Sequence, residues 1–179
     1  MPERANSFWR FSLRTYRAPG VQEACLALQD RCGADVNLLL FCGWTGRAGR
    51  ALDEASLRSA VGRVGLWQSE VVAPLRLARR GLKRQAADAM AAELAGPLRK
   101  RVLALELELE RVEQSLLAEL ESQWAPPAQR LPPWQAIAAN LAGYLELLGE
   151  AAGPDEVAHL ACIAQACSPS EPEAAVRPR

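Results

Sequence analysis

The chain has 179 residues, half of them hydrophobic, with a formal net charge of zero and five cysteines. That length suffices for one cored domain or for a domain with a helical extension, and the apolar share excludes wholesale disorder. The longest apolar run, residues 38–44, is far short of the ~20 residues that span a bilayer, so no membrane insertion is expected.

Zero net charge hides an uneven distribution. Residues 1–101 carry 17 Lys/Arg against 9 Asp/Glu, and residues 102–179 carry 4 against 12. Such asymmetry points to a basic binding surface or to two stretches that attract each other. The apolar residues are mostly Ala and Leu, and no run alternates with strand period, so the expected fold is all-α. Residues 1–16 lack the apolar core of a secretory signal, and the odd number of cysteines contains no C-x-x-C. The expectation is a cytoplasmic protein whose thiols serve as small buried hydrophobes.

In chain order, Asn6 is placed to cap a first helix over 7–16, and Pro19-Gly20 opens a second over 21–31 that Gly33 stops. Asp35 caps a strongly apolar third helix to Trp44, followed by a glycine-containing loop over 45–50 that reads as mobile. Asp53 caps a fourth helix bearing Leu57, Val61, Val64 and Trp67, which Pro74 should kink or restart. A fifth helix is expected over 75–95. Gly96-Pro97, with proline at the helix start it tolerates best, opens a sixth over 98–123. Further helices are expected from Trp134 to Leu148 and over 155–167. The organisation read from these elements is a compact N-terminal helical core over 1–73 and a basic/acidic helical hairpin over 74–123. A Pro-rich linker over 124–133, a C-terminal helix pair over 134–167 and a disordered tail over 168–179 complete it.

Three N-terminal pieces stand out: Phe8-Trp9-Arg10-Phe11-Ser12-Leu13 with Tyr16, then Gly20-Val21-Gln22-Glu23-Ala24-Cys25-Leu26-Ala27-Leu28-Gln29-Asp30, then Gly33-Ala34-Asp35-Val36-Asn37-Leu38-Leu39-Leu40. Together they resemble an uncharacterised family of conserved proteobacterial proteins of about this length, over the first two-thirds of the chain at most. The resemblance brings no catalytic residues. It does imply a partnership, since members of that family are often encoded near a translation-type ABC-F ATPase.

The hairpin carries the most informative pattern. Arg76, Arg79, Arg80, Lys83 and Arg84 line one helical face, with Leu75, Leu77, Ala78, Gly81 and Leu82 on the other. The sixth helix has a heptad seam of Leu98, Val102, Leu105, Leu109, Val112 and Leu116, flanked by Glu106, Glu108 and Glu113, with Glu110, Glu119 and Glu121 adding charge. A reversal at Gly96-Pro97 would set residues 76–84 opposite 109–117 and Arg80 near Glu113. The leucine seam would then hold the hairpin and the charges would set its register. Arg99, Lys100 and Arg101, at a helix start where the dipole disfavours cations, would remain as an anion contact.

The aromatics Trp9, Tyr16, Trp44 and Trp67 read first as core and secondly as the walls of an inter-helix pocket. In the second case Gln29, Asp30, Asp35 or Asn37 would orient a small molecule or lipid. Catalysis is disfavoured: the single histidine, His159, has no nucleophile beside it in sequence, and no glycine-rich phosphate loop is present. His159, Cys162 and Cys167 lack a fourth ligand, so neither a metal nor a cofactor is expected. The sequence therefore favours a non-enzymatic helical protein-interaction module. A small-molecule or lipid binder and a nucleic-acid binder using the basic stripe are the alternatives.

Overall fold

The computed structural model describes residues 3–85, 89–149 and 152–168, and among them the fold is all-α with no strand. The helices are α1 (Glu3–Tyr16), α2 (Val21–Cys32), α3 (Val36–Arg47), α4 (Glu54–Trp67), α5 (Ala73–Gln85), α6 (Ala89–Gln123), α7 (Pro133–Leu147) and α8 (Pro154–Cys167). A π-helical segment, Gln68–Val72, joins α4 to α5. The tail expected over 168–179 lies outside the described residues except for Ser168. The chain forms two compact units, each made of two separate stretches: residues 1–9 with 59–124, and residues 10–58 with 125–179.

The second unit is built on α3. Leu38, Leu39, Leu40, Phe41 and Cys42 are all buried, because this helix is apolar around its whole circumference and other helices must cover every side. Asp35 caps it as expected, its Oδ1 accepting from the backbone N–H of Asn37 at 2.7 Å and of Leu38 at 3.2 Å. The Asp35 N–H in turn donates to the Tyr144 hydroxyl on α7 at 2.9 Å. Gly33 closes α2 in the left-handed conformation, at φ 66°. Arg31 at the end of α2 pairs with Asp155 at 3.0 Å and with Glu156 at 2.8 Å on α8.

The loop expected to be mobile over 45–50 is partly helix and firmly held. Gly46 lies within α3, where a Cβ would come within 2.6 Å of the Ile137 backbone, so α3 and α7 meet main chain to main chain. Asn140 of α7, fully buried, fastens the turn that leaves α3. Its Oδ1 accepts from the Leu52 N–H at 2.7 Å, and its amide N–H groups face the carbonyls of Arg50 at 2.9 Å and Cys42 at 3.2 Å and the Thr45 hydroxyl at 3.2 Å. Buried main-chain groups in a turn need such a partner. The Pro-rich stretch is tied to the same turn, through Leu131 N–H on the Gly49 carbonyl at 3.0 Å and Arg50 on the Ala125 carbonyl at 3.0 Å.

The first unit contains the hairpin, and here the structure corrects several expectations. Helix α1 starts by Glu3, and Asn6 lies inside it, its side-chain oxygen accepting from Arg111 at 3.2 Å instead of capping. Pro74 disrupts the helix as expected, and α5 restarts at Ala73 beside it. It cannot donate to the carbonyl four residues back, and the chain widens into π-helix over Gln68–Val72 just before it. Helix α5 ends at Gln85, and α6 has begun by Ala89 and runs through Gly96-Pro97. The reversal expected at Gly96-Pro97 is therefore absent, since both residues lie inside α6. Pro97 is tolerated because it is exposed, so water can serve the Glu93 carbonyl that its missing N–H leaves.

Two outcomes are expected of this packing. Asn140→Leu leaves the Leu52 N–H and the Arg50 carbonyl without their partner, and should lower unfolding free energy by about 2–4 kcal/mol in a urea titration. The thiols provide the second. No disulfide joins the five cysteines, and Cys25, Cys42 and Cys167 are buried. Burial pushes the Cys25 and Cys167 thiols from 9.0 up to about 12, neighbouring Cys167 and Cys162 adding to the rise at Cys25, and burial raises Cys42 as well. The folded chain holds these protons more tightly than the unfolded one. Their burial thus contributes stability below about pH 9 that is lost progressively as pH climbs toward 12. A colorimetric thiol reagent should titrate only Cys32 and Cys162 in the native protein and all five after denaturation, with unfolding free energy falling above pH 9. Five equally reactive native thiols would contradict the packing.

Candidate interaction surface

The hairpin of the first unit is held by its charges. Arg79 Nε donates to Glu106 Oε2 at 2.6 Å, and Arg76 pairs with Glu110 at 3.1 Å. Farther along the same pairing, Arg63 reaches Glu119 at 3.2 Å and the Trp67 indole N–H donates to the Leu109 carbonyl at 3.2 Å. Arg4 of α1 pairs with Glu121, and the Arg111 guanidinium lies 5.7 Å from the centre of the Trp9 ring. The register differs from the expected one: Arg79 opposes Glu106 where Arg80 was set near Glu113. The helix is unbroken at Gly96-Pro97, so the reversal expected there does not set this register.

The face that α6 turns inward is acidic. Glu106 is 3% exposed and Glu113 is fully buried, with Gln114, Leu117, Ala118 and Glu121 also buried. Three members of the heptad seam are open to solvent instead: Leu98 and Leu105 are each 46% exposed and Val112 is 37% exposed. Val102, Leu109 and Leu116 are half-buried along the border of the hairpin interior. Helix α5 is turned the same way. Leu77 and Ala78, expected inside, are exposed, while Arg76 and Arg79 are half-buried. Arginine suits this position because its aliphatic stem packs as a hydrophobe while its planar head pairs with a carboxylate.

The candidate anion-binding residues are therefore divided. Arg76 and Arg79 are consumed by the hairpin. Arg80, Lys83, Arg84, Arg99, Lys100 and Arg101 are exposed, and none has an ion pair among the described residues. The pairing of 79 with 106 and 76 with 110 carries on to bring 83 and 84 beside about 101–102, so these six cations gather at the reversal end of the hairpin. The dipole of α6 no longer bears on Arg99–Arg101 as expected, because they lie more than two turns inside the helix.

The candidate pocket residues are distributed over both units. Trp9 and Trp67 belong to the first unit; Tyr16, Gln29, Asp30, Asp35, Asn37 and Trp44 belong to the second. Within the second, Asp30 is exposed, Asp35 serves as the α3 cap, Asn37 is buried, and Trp44 stacks at a tilt on Phe41 with centroids 6.1 Å apart. Tyr16 and Gln29 are half-buried. Among the described residues no three of His, Cys, Asp and Glu are placed to hold a metal ion, and no helix is long and apolar enough to cross a membrane.

Exposed leucines outside the seam were not anticipated from the sequence. Leu103 and Leu107 are 45% and 47% exposed, and Leu66 and Leu77 are more open still. A signal for the first two was present, since leucine recurs at 103, 105, 107 and 109. At about 100° per residue, alternate positions point to opposite sides of a helix, so one packed face cannot take all four.

A family model described as a protein of unknown function, DUF2390, matches residues 7–117. No curated protein and no solved structure matches the chain.

Proposed function

The chain belongs to the DUF2390 family, and from that premise we propose that it is a non-enzymatic helical module that binds another protein through the leucine-lined outer side of α6. One observation carries the reading: the helix buries Glu106, Glu113 and Glu121 and leaves Leu98, Leu105 and Val112 in water. Burying charge costs free energy and exposing leucine forgoes it, at ~25 cal/mol per Å² of apolar area. A partner that covers the leucines recovers what the hairpin leaves unused. Exposed apolar surface on a helix is one mark of a protein-binding site.

A second reading rests on the six exposed cations at the reversal end of the hairpin, Arg80, Lys83, Arg84, Arg99, Lys100 and Arg101. They would suit a nucleic acid or an acidic protein surface. A translation-linked setting would join the two readings, with an ABC-F ATPase as the first partner to try and the cytoplasm as the place. The pocket reading has less support, because Asp35 already serves as the α3 cap and Asp30 is exposed.

Affinity capture from the native host with mass spectrometry tests the proposal. A Leu98→Glu/Val112→Glu variant that keeps its far-ultraviolet circular dichroism should lose at least tenfold of a specific partner. An unchanged set of captured proteins would overturn the reading. In parallel, Arg80→Glu/Arg84→Glu/Arg101→Glu should leave folding intact; if it removes an RNA complex whose affinity falls steeply with salt, the second reading takes over.

A further inference from the structure

We propose that the exposed stripe of α6 takes a second copy of this chain, paired antiparallel about a two-fold axis at Leu105. The inference rests on the reading of α6 as an interaction surface and names its occupant. Leu98, Leu105 and Val112 are seven residues apart, so they form one continuous stripe ~21 Å long on the solvent side of the helix. The stripe is symmetric about its centre: an apolar residue stands seven positions before Leu105 and another seven after it.

Charge selects the direction. Arg101 and Glu108, both exposed, occupy equivalent positions one heptad apart on the same flank of the stripe. In an antiparallel pair, Leu98 meets Val112 of the second copy, Leu105 meets its own equivalent, and Arg101 of each copy meets Glu108 of the other. Two opposite-charge pairs form for one two-fold axis. A parallel pair would instead bring the two Arg99-Lys100-Arg101 clusters together at one end and the glutamates together at the other. The flanking carboxylates Glu106 and Glu110 do not oppose the antiparallel arrangement, because Arg79 and Arg76 already neutralise them within each hairpin. The N-terminal cluster of cations and the glutamates from 106 onward thus give α6 a lengthwise polarity that only an inverted copy complements.

The stripe is one helix wide, which puts the interface below the ~800 Å² per partner of a standard complex. The dimer is therefore reversible and dependent on concentration. Sedimentation of the full chain across a concentration series should show a monomer–dimer equilibrium. Leu105→Glu should make the protein monomeric with its circular dichroism unchanged. Arg101→Glu or Glu108→Arg alone should raise the dimer dissociation constant roughly tenfold, and the two together should restore it. A wild-type chain that stays monomeric throughout overturns the proposal, as does a dimer indifferent to Leu105→Glu. A monomer whose capture of a host protein still depends on Leu98 and Val112 overturns the second copy alone and leaves the interaction reading standing.

Discussion

A carboxylate that is 3% exposed needs a charged or strongly polar partner, and for Glu106 that partner is Arg79, 2.6 Å away. This pair constrains the whole hairpin. With Glu106 facing α5, the helical repeat brings Glu113 and Glu110 to the same side, and Arg76 is held opposite Glu110. Removing either member of such a buried pair typically costs about 3–5 kcal/mol, because the other charge is left stranded. The same rotation of α6 decides where the leucines go. Residues 98, 105 and 112 lie roughly a quarter-turn or more from the acidic strip, which puts them at the surface.

The second unit is held by different means. Its central helix is apolar on every side except for Arg47 in the last turn, so position is set mainly by close approach and by a few buried polar groups. Gly46 lets α3 touch α7, and Asn140 fixes the turn that leaves α3. Tyr144 and Asp35 tie the other end of α3 to α7. One unit is thus specified by ion pairs set among modest apolar contacts, and the other by packing with a small hydrogen-bonded hub. The ion pairs leave an apolar stripe uncovered, and that is why the hairpin is where we place partner binding.

Much of this could be read from the residues, and the failures have identifiable causes. The Asp35 cap, the Gly33 stop, the apolar α3 and the end of α6 at Gln123 reflect local chemistry that a sequence displays directly. The hairpin register does not, because proline after glycine resembles a helix start and only the long-range pairing reveals that Pro97 sits inside one. The inverted faces were missed for a different reason. A pattern of leucines every three and four residues reads as a core seam, whereas here the inward face of α6 is acidic and the guanidinium groups of α5 meet its glutamates. Asn140 and Gly46 lack any sequence signature, since their roles exist only once α3 and α7 are in contact.

The hairpin register depends most directly on which arginine meets which glutamate. A double-mutant cycle with Arg79→Met and Glu106→Gln, read by urea unfolding, measures that contact alone. The structure predicts a coupling of about 2 kcal/mol or more for this pair, little reduced by salt because Glu106 is buried, and none for the corresponding cycle of Arg80 with Glu113. Coupling between Arg80 and Glu113, with Arg79 and Glu106 independent, would contradict it. That result would restore the register set by Gly96-Pro97 and return the leucine seam to the interior of the hairpin.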